Sequence, residues 1–134
     1  SPVSVLELED MSSAEKNYAN TYIESRYPNA VRLRSATYKY NCHSYAWYST
    51  SYYNTWWMNN PGKYMTDGSY DEYNNPESGQ KIYYPAPGNE HSGIITSVSG
   101  SSITVTSKWG AYGLYRHSST DCPYFSMYLN IYWD

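Results

Sequence analysis

Apolar residues recur at helical spacing near the start of the chain. This apolar face consists of Ala14, Tyr18, Ala19, Tyr22 and Ile23. Ser12 followed by Glu15 three residues later fits a capping box, in which each side chain bonds to the other residue's backbone. Pro28 cannot continue a helix. The pattern therefore predicts a first helix that begins after Ser12 and ends before Pro28.

A second helix is predicted over residues 42–53, with Asn41 as its cap. Its apolar face consists of Cys42, Tyr45, Ala46 and Ser49. Cys42 would then lie at the positive end of the helix dipole. That position stabilises a thiolate, so we expect the pKa of the Cys42 thiol to be lowered.

The C-terminal part of the chain shows the alternation of apolar and polar residues that is typical of β-strands. Strands are predicted over residues 81–84, 91–98, 102–107, 114–117 and 127–133. Gly100 and Ser101 form the hairpin turn between the second and third of these strands. Because helices precede strands without alternating with them, the expected fold class is α+β with an antiparallel sheet of about five strands. Residues 31–35 are a further short strand or extended segment.

Residues 54–81 are rich in Asn, Pro and Gly, which predicts a long irregular loop with one helical turn near residues 61–65. Loops of this length in compact domains are often functional. Trp56 and Trp57 make this loop a candidate wall of a substrate groove.

Length and charge narrow the possible classes of protein. The chain of 134 residues fits one domain, residues 1–134. A net charge of −3 without a basic stripe argues against a nucleic-acid partner. No apolar run reaches the ~20 residues of a membrane span. The chain begins at Ser1 without Met, which indicates a processed or excised piece, and a larger multidomain protein is one possible source.

Aromatic usage is unusual, with 19 Tyr and 5 Trp against a single Phe. Tyrosine combines apolar area with a hydroxyl, so it suits a surface that meets water or sugars. This usage is typical of secreted and cell-surface proteins. Tyrosines that simply fill the core are the equally weighted alternative.

The two cysteines, Cys42 and Cys122, are expected to be free thiols because their surroundings differ. Two cysteines also do not make the dense disulfide framework of a small secreted scaffold.

Three positions occur in the order of a papain-type site. Cys42 opens a helix, His91 opens a strand about fifty residues later, and Ser107 ends the neighbouring strand. Cys42 is the candidate nucleophile, His91 the candidate base and Ser107 the candidate orienting group, since a hydroxyl can accept from an imidazole N–H. Lys108 is a weaker candidate for the third position because a cation there would oppose imidazolium formation.

Donors for a developing oxyanion could come from the backbone N–H of Cys42 or His43 and from the hydroxyls of Tyr38 or Tyr40. His43 points to a different helix face from Cys42 and is read as structural or substrate-facing. The remaining candidates for contact with substrate are Lys108, Trp109, Trp56 and Trp57, although Trp109 is most simply a core aromatic.

The segment Asn41-Cys42-His43-Ser44-Tyr45-Ala46-Trp47, followed by His91-Ser92-Gly93-Ile94-Ile95, resembles the NlpC/P60 and CHAP group of papain-like cysteine peptidases and amidases. Thr106-Ser107-Lys108-Trp109-Gly110 is also similar to the Asn-Ser-Trp-Gly motif of papain. The resemblance covers residues 38–110. It implies a papain-like fold with the nucleophile at a helix start packed on the sheet, a Cys42–His91–Ser107 site, and hydrolysis of peptide bonds in the bacterial cell wall.

Two positions depart from that family pattern. His43 replaces the small residue usual after the nucleophile, and Ser107 stands where Asn, His, Gln or Glu is expected.

The leading hypothesis is an extracellular, monomeric cysteine amidase or endopeptidase acting on peptide or peptidoglycan substrates without a cofactor. The alternative is a non-catalytic glycan- or wall-binding module on a peptidase-like fold, favoured by Trp56, Trp57 and the many tyrosines, because aromatic faces suit extended polar ligands. A third hypothesis is a metal site formed by Cys42, His43, His91, His117 and Cys122. It is the weakest because the chain lacks the usual ligand spacings.

Overall fold

The computed structural model describes residues 3–134 as an α+β domain. Its helices are α1 (Ser13–Arg26), a π-helix (Ser44–Tyr48) and α2 (Gly62–Thr66). Its strands are β1 (Val31–Arg34), β2 (Glu72–Tyr73), β3 (Lys81–Tyr84), β4 (His91–Ser99), β5 (Ser102–Lys108), β6 (Leu114–Ser118) and β7 (Ile131–Trp133). None of the helices within residues 3–134 has the length and apolar character needed to cross a bilayer.

All seven strands belong to one antiparallel sheet, in the order β1-β6-β5-β4-β3-β7-β2. The antiparallel α+β class predicted from the sequence is confirmed, while the expected number of about five strands is corrected to seven. The additional strands are the short edge strands, and β2 has only two residues. β2 lies inside the predicted loop of residues 54–81, where two residues show no alternation that a pattern could detect.

α1 begins and ends as the sequence predicts. The backbone N–H of Ser12 donates to Glu15 Oε1 at 2.9 Å, and the backbone N–H of Glu15 donates to Ser12 Oγ at 3.2 Å, which completes the capping box. Ile23 lies on the buried face of α1 and packs in the core. The buried Asn20 accepts from the backbone N–H of Ala36 at 3.0 Å and so fixes the chain that leads toward Cys42.

The helix predicted over residues 42–53 is shorter and wider than expected. Two α-helical residues precede the π-helix Ser44–Tyr48, whose closing bond runs from the Ser49 N–H to the Ser44 carbonyl at 2.9 Å. The Asn54 side chain then donates to the Ser49 carbonyl at 2.9 Å. This side-chain bond holds the chain after the π-helix in a non-helical turn, so helical structure ends at Tyr48.

The sheet packs on both faces. Ile94 and Ile95 are neighbours on β4, yet they contact different apolar clusters, because successive residues of a strand point to opposite faces. The face of Ile95 carries the main core, which consists of Ile23, Ile82, Tyr84, Val105, Trp109, Tyr115 and Cys122. The face of Ile94 packs against the π-helix and against Met58.

Both cysteines are free thiols, as the sequence predicts. They are also both buried, and Cys122 belongs to the main core. No cross-link therefore joins the segment that carries Cys42 to the rest of the domain.

The edge strand β1 pairs on one side only, with β6. Val31 and Leu33 on this strand are 45% and 43% exposed. Arg32 and Arg34 alternate with them; the first contacts Glu24 at 3.5 Å and the second donates to the Thr50 carbonyl at 3.2 Å.

Gly93 is required at the centre of the sheet. A Cβ at this position would lie 2.6 Å from Val105 Cγ1 and 3.0 Å from Ser107 Cβ. We expect Gly93→Ala to destabilise the domain by about 1–3 kcal/mol, the usual cost of overpacking a core. Chemical denaturation measures this, with Ser97→Ala, an exposed position on the same strand, as the control. Equal unfolding midpoints for the two variants would contradict the packing described here.

Candidate active site

Asn41 fixes the start of the helical segment that carries Cys42. Its Oδ1 accepts from the backbone N–H of Ser44 and from that of Met58, each at 3.1 Å, and its Nδ2 donates to the Met58 carbonyl at 2.6 Å. The predicted cap is therefore present. The same amide also joins the segment to the backbone of Met58. The position of Cys42 therefore depends both on its own helical segment and on the chain near Met58.

Ser92 joins this segment to β4. Its Oγ lies 2.7 Å from His43 Nδ1 and accepts from Trp47 Nε1 at 3.0 Å. All three side chains are buried. Because Ser92 follows His91 directly, these bonds bring the Cys42 segment to the end of the strand that carries the candidate base.

Cys42 lines a small cavity of about 230 Å³. The other lining residues are Asn41, His43, Trp57, Asn59, Gly88, Asn89, Glu90, Gly110 and Tyr124. His91 lies behind Tyr124, with the two rings stacked in parallel at a centroid distance of 3.7 Å. Tyr124 lines the cavity, whereas His91 is not part of the lining.

The structure brings His91 and Ser107 together. His91 Nε2 lies 2.9 Å from Ser107 Oγ, and both residues are fully buried. Ser107 is opposite Gly93 in the register of β4 and β5, so the missing side chain of Gly93 leaves room for the diagonal approach of His91. The other ring nitrogen, Nδ1, has no hydrogen-bond partner within the described chain.

Ser107 has two further neighbours. His117 Nε2 lies 2.7 Å from its Oγ, and Trp109 Nε1 donates to the same oxygen at 3.2 Å. His117 is on β6, the strand on the other side of β5. Ser107 therefore lies between two imidazoles in the interior of the sheet.

The pKa of the Cys42 thiol is raised, not lowered as the sequence predicts. Burial raises the pKa of the Cys42 thiol to about 11, although the N–H groups of Ser92 and His43 and the cation of Lys108 act in the opposite direction. His91 Nδ1 has no hydrogen-bond partner within residues 3–134, so no hydrogen bond joins it to Cys42. The thiol of Cys42 and the imidazole of His91 are both uncharged at rest, because burial disfavours the charged form of each.

The histidines are held neutral for the same reason. Burial lowers the pKa of His43 and that of His117 to about 4, and it lowers the pKa of His91 well below 6.5. At neutral pH each imidazole therefore has one N–H donor and one bare nitrogen acceptor.

Lys108 lies in the interior and does not face the cavity. Its Nζ donates to the carbonyls of Thr37 at 2.8 Å, Tyr40 at 3.0 Å and Gly110 at 2.5 Å. Burial lowers the pKa of Lys108 to about 7, whereas three acceptors for three N–H bonds favour the ammonium form. Its observed contacts are structural: it joins the chain before Cys42 to the turn after β5, which corrects the expectation that it contacts substrate.

The aromatic candidates separate into two groups. Trp57 lines the cavity with Cys42, and Trp56 is not part of that lining. Trp109 is fully buried against Tyr115, with ring centroids 4.3 Å apart, so it cannot contact a substrate.

Tyr38 and Tyr40 also lie away from the cavity. Tyr38 lines a groove along α1, and the buried ring of Tyr40 packs against Lys108, whose Nζ is 4.8 Å from the ring centre. Neither hydroxyl supplies the oxyanion donor expected from the sequence.

Three residues of the site were not identified from the sequence as belonging to it: Ser92, Tyr124 and His117. The sequence predicts His117 only as a possible metal ligand. Its position two residues after the buried Tyr115, on the same face of a strand, was a signal that it points inward. Tyr124 follows an irregular turn and gave no such signal. No cluster of three or more potential metal ligands is present in residues 3–134.

The buried histidines should make the domain less stable in acid. The unfolded histidines bind protons below their usual pKa of about 6.5, whereas folded His43 and His117 stay neutral down to about 4. The free energy of unfolding should therefore fall as the pH falls through this window, by roughly 2 kcal/mol or more. Urea denaturation at several pH values measures this. His117→Gln should reduce the slope, and a flat profile in the parent protein would contradict the buried neutral state.

Comparisons of the chain with protein-family models, with curated proteins and with solved structures found no match. The functional argument therefore depends on the geometry of the site: the thiol of Cys42 in a cavity, the stacked imidazole of His91 behind Tyr124, and the hydroxyl of Ser107 on its far nitrogen.

Proposed function

We propose that this chain is a cysteine hydrolase that cleaves amide bonds. Cys42 is the nucleophile, His91 the general base and Ser107 the group that orients the imidazole. The observation that supports this most strongly is the state of His91, a buried imidazole bound through Nε2 to Ser107 while Nδ1 has no partner within residues 3–134. A buried polar atom without a partner is costly, and such costs are typical of functional sites.

Attack on the substrate begins from the uncharged pair. As Cys42 Sγ forms a bond to the carbonyl carbon, its proton passes to His91 Nδ1, and negative charge develops on the carbonyl oxygen. The backbone N–H groups of His43 and Ser92 approach the Cys42 sulfur and are therefore close to where this oxygen forms. Contacts between nucleophile and base that are absent in the free enzyme often form only when substrate binds.

The second half of the reaction returns the enzyme to its starting state. The C–N bond breaks, and the proton on His91 Nδ1 goes to the leaving amine. Water then attacks the thioester while His91 takes up one of its protons. When the C–S bond breaks, a carboxylic acid is released and Cys42 regains its proton.

The proposed substrate is a peptide, with stem peptides of bacterial peptidoglycan as the first candidate and a secreted or cell-surface location. The family resemblance of residues 38–110 suggests this class. The cavity is small, about 230 Å³, and Asn59 and Asn89 give it uncharged polar groups that suit the amides of an extended peptide.

A second candidate is a non-catalytic module that binds glycan or cell wall. The protonated state of Cys42 and the absence of its bond to His91 favour this alternative. A second and larger groove of about 480 Å³ runs along α1, and Tyr18, Tyr22, Tyr38 and Tyr112 line it. Aromatic rings of this kind suit sugar faces.

Turnover of purified peptidoglycan and of synthetic stem peptides, followed by mass spectrometry, tests the proposal. Cys42→Ala and His91→Ala should each lower the rate by about 10³-fold or more, because residues of one catalytic unit fail together. Cys122→Ala, a change at the other buried thiol, is the matched control and should keep the parent rate.

The same experiment distinguishes the two candidates. Undiminished cleavage by Cys42→Ala would overturn the hydrolase proposal. Binding to cell wall without cleavage by any variant would support the binding module instead.

The chemical state of Cys42 has its own prediction. Because burial raises the pKa of the thiol to about 11, the rate of alkylation by iodoacetamide should keep rising with pH through the alkaline range. The Cys122→Ala variant isolates the reaction at Cys42. A plateau of reactivity below about pH 7 would instead indicate a thiolate paired with imidazolium and would contradict the uncharged pair.

A further inference from the structure

We propose that His117 is a positioning residue that acts through the Ser107 hydroxyl to keep the proton of His91 on Nε2 and leave Nδ1 bare. The inference rests on the proposed function for its catalytic meaning. Its structural content stands on three hydrogen bonds that meet at one buried oxygen.

The Ser118 carbonyl decides which nitrogen of His117 carries the proton. His117 Nδ1 lies 2.7 Å from this oxygen, which can only accept. Nδ1 must therefore be the N–H donor. Because burial keeps His117 neutral, its Nε2 has no proton and is an acceptor.

The direction in which the Ser107 hydroxyl donates its hydrogen is then also determined. His117 Nε2 lies 2.7 Å from Ser107 Oγ and carries no hydrogen, so the hydrogen between the two atoms belongs to Ser107 and its hydroxyl donates there. Its oxygen has two lone pairs left. One accepts from Trp109 Nε1 at 3.2 Å, since an indole nitrogen is a donor only.

The last lone pair of Ser107 fixes His91. His91 Nε2, 2.9 Å away, meets an oxygen whose hydrogen is already used, so it must be the donor. A neutral imidazole has one N–H, and Nδ1 is therefore bare. Nδ1 is the nitrogen that the proposed reaction needs as a base.

This chain of bonds explains why a serine can occupy the third position. A serine hydroxyl alone is ambiguous, because it can donate to an imidazole or accept from it. His117 and Trp109 on its other sides remove the ambiguity. The three residues together supply an obligate acceptor for His91, which a side-chain amide oxygen would supply alone.

Nitrogen-15 NMR of histidine-labelled parent protein tests the inference directly, because protonated and bare imidazole nitrogens resonate far apart and the chain has only 3 His. At neutral pH we expect the proton of His91 on Nε2 and that of His117 on Nδ1. A proton on Nδ1 of His91, or on Nε2 of His117, would overturn the inference. This measurement needs no variant to fold.

Two substitutions at His117 test the coupling. His117→Phe removes the acceptor, so the Ser107 hydroxyl should turn to His91 Nε2 and shift the His91 proton toward Nδ1. Amide hydrolysis should then fall about 10-fold to 100-fold, with kcat affected more than KM. His117→Gln, which offers an amide oxygen to Ser107, should restore the Nε2 proton and most of the rate. An unchanged His91 tautomer in a folded His117→Phe protein would overturn the inference.

The readouts separate this inference from the proposed function. If the parent protein shows the expected tautomers but hydrolyses nothing, the hydrogen-bond assignment stands and the hydrolase proposal fails. If cleavage requires Cys42 and His91 while His91 carries its proton on Nδ1, the hydrolase proposal stands and the role of His117 fails.

Discussion

The hydroxyl of Ser92 joins the two elements that carry the proposed nucleophile and base. His43 and Trp47, from the segment that begins at Cys42, both reach this single oxygen on β4. With no disulfide between the two elements, their relative position depends on these bonds and on the packing of Ala46 and Trp47 with Ile94. A buried hydrogen bond is directional, so it sets an orientation that apolar packing alone would leave looser.

Burial makes this site different from a thiolate–imidazolium pair. The same desolvation that raises the pKa of Cys42 lowers that of His91, so charge separation is opposed from both sides. A site of this kind holds its thiol in the protonated form, which reacts slowly with solvent electrophiles and oxidants. In the proposed reaction, charge develops only as a substrate places its carbonyl near the N–H groups beside the sulfur.

The sequence was most informative where a local rule applies. The capping box at Ser12 and Glu15 and the strand Lys81–Tyr84 appear where they were predicted, because each is fixed by a few neighbouring residues. β2 and the π-helix depend on partners distant in the chain, Trp133 and Tyr132 for β2 and Asn54 for the end of the π-helix.

The residues of the candidate site also fall into two groups, those that a local sequence pattern predicts and those that depend on distant parts of the chain. The contact between His91 and Ser107 follows from neighbouring strands of a hairpin, and the spacing of the two residues suggested it. His117, Ser92 and Tyr124 join the site through tertiary contacts that no local spacing encodes. Burial, which sets every pKa discussed here, is also a property of the whole fold, so the state of Cys42 could not be read from its place at a helix start.

The outer edge of the sheet has a consequence for self-association. An unpaired strand offers a row of backbone donors and acceptors to any other extended chain, and exposed Val31 and Leu33 would strengthen such pairing. Arg32 and Arg34 alternate with these two residues and add positive charge to the same edge strand. Two molecules meeting edge to edge would bring the Arg34 guanidinium groups of both copies together, so this edge strand also discourages fibril-like stacking of one copy on another.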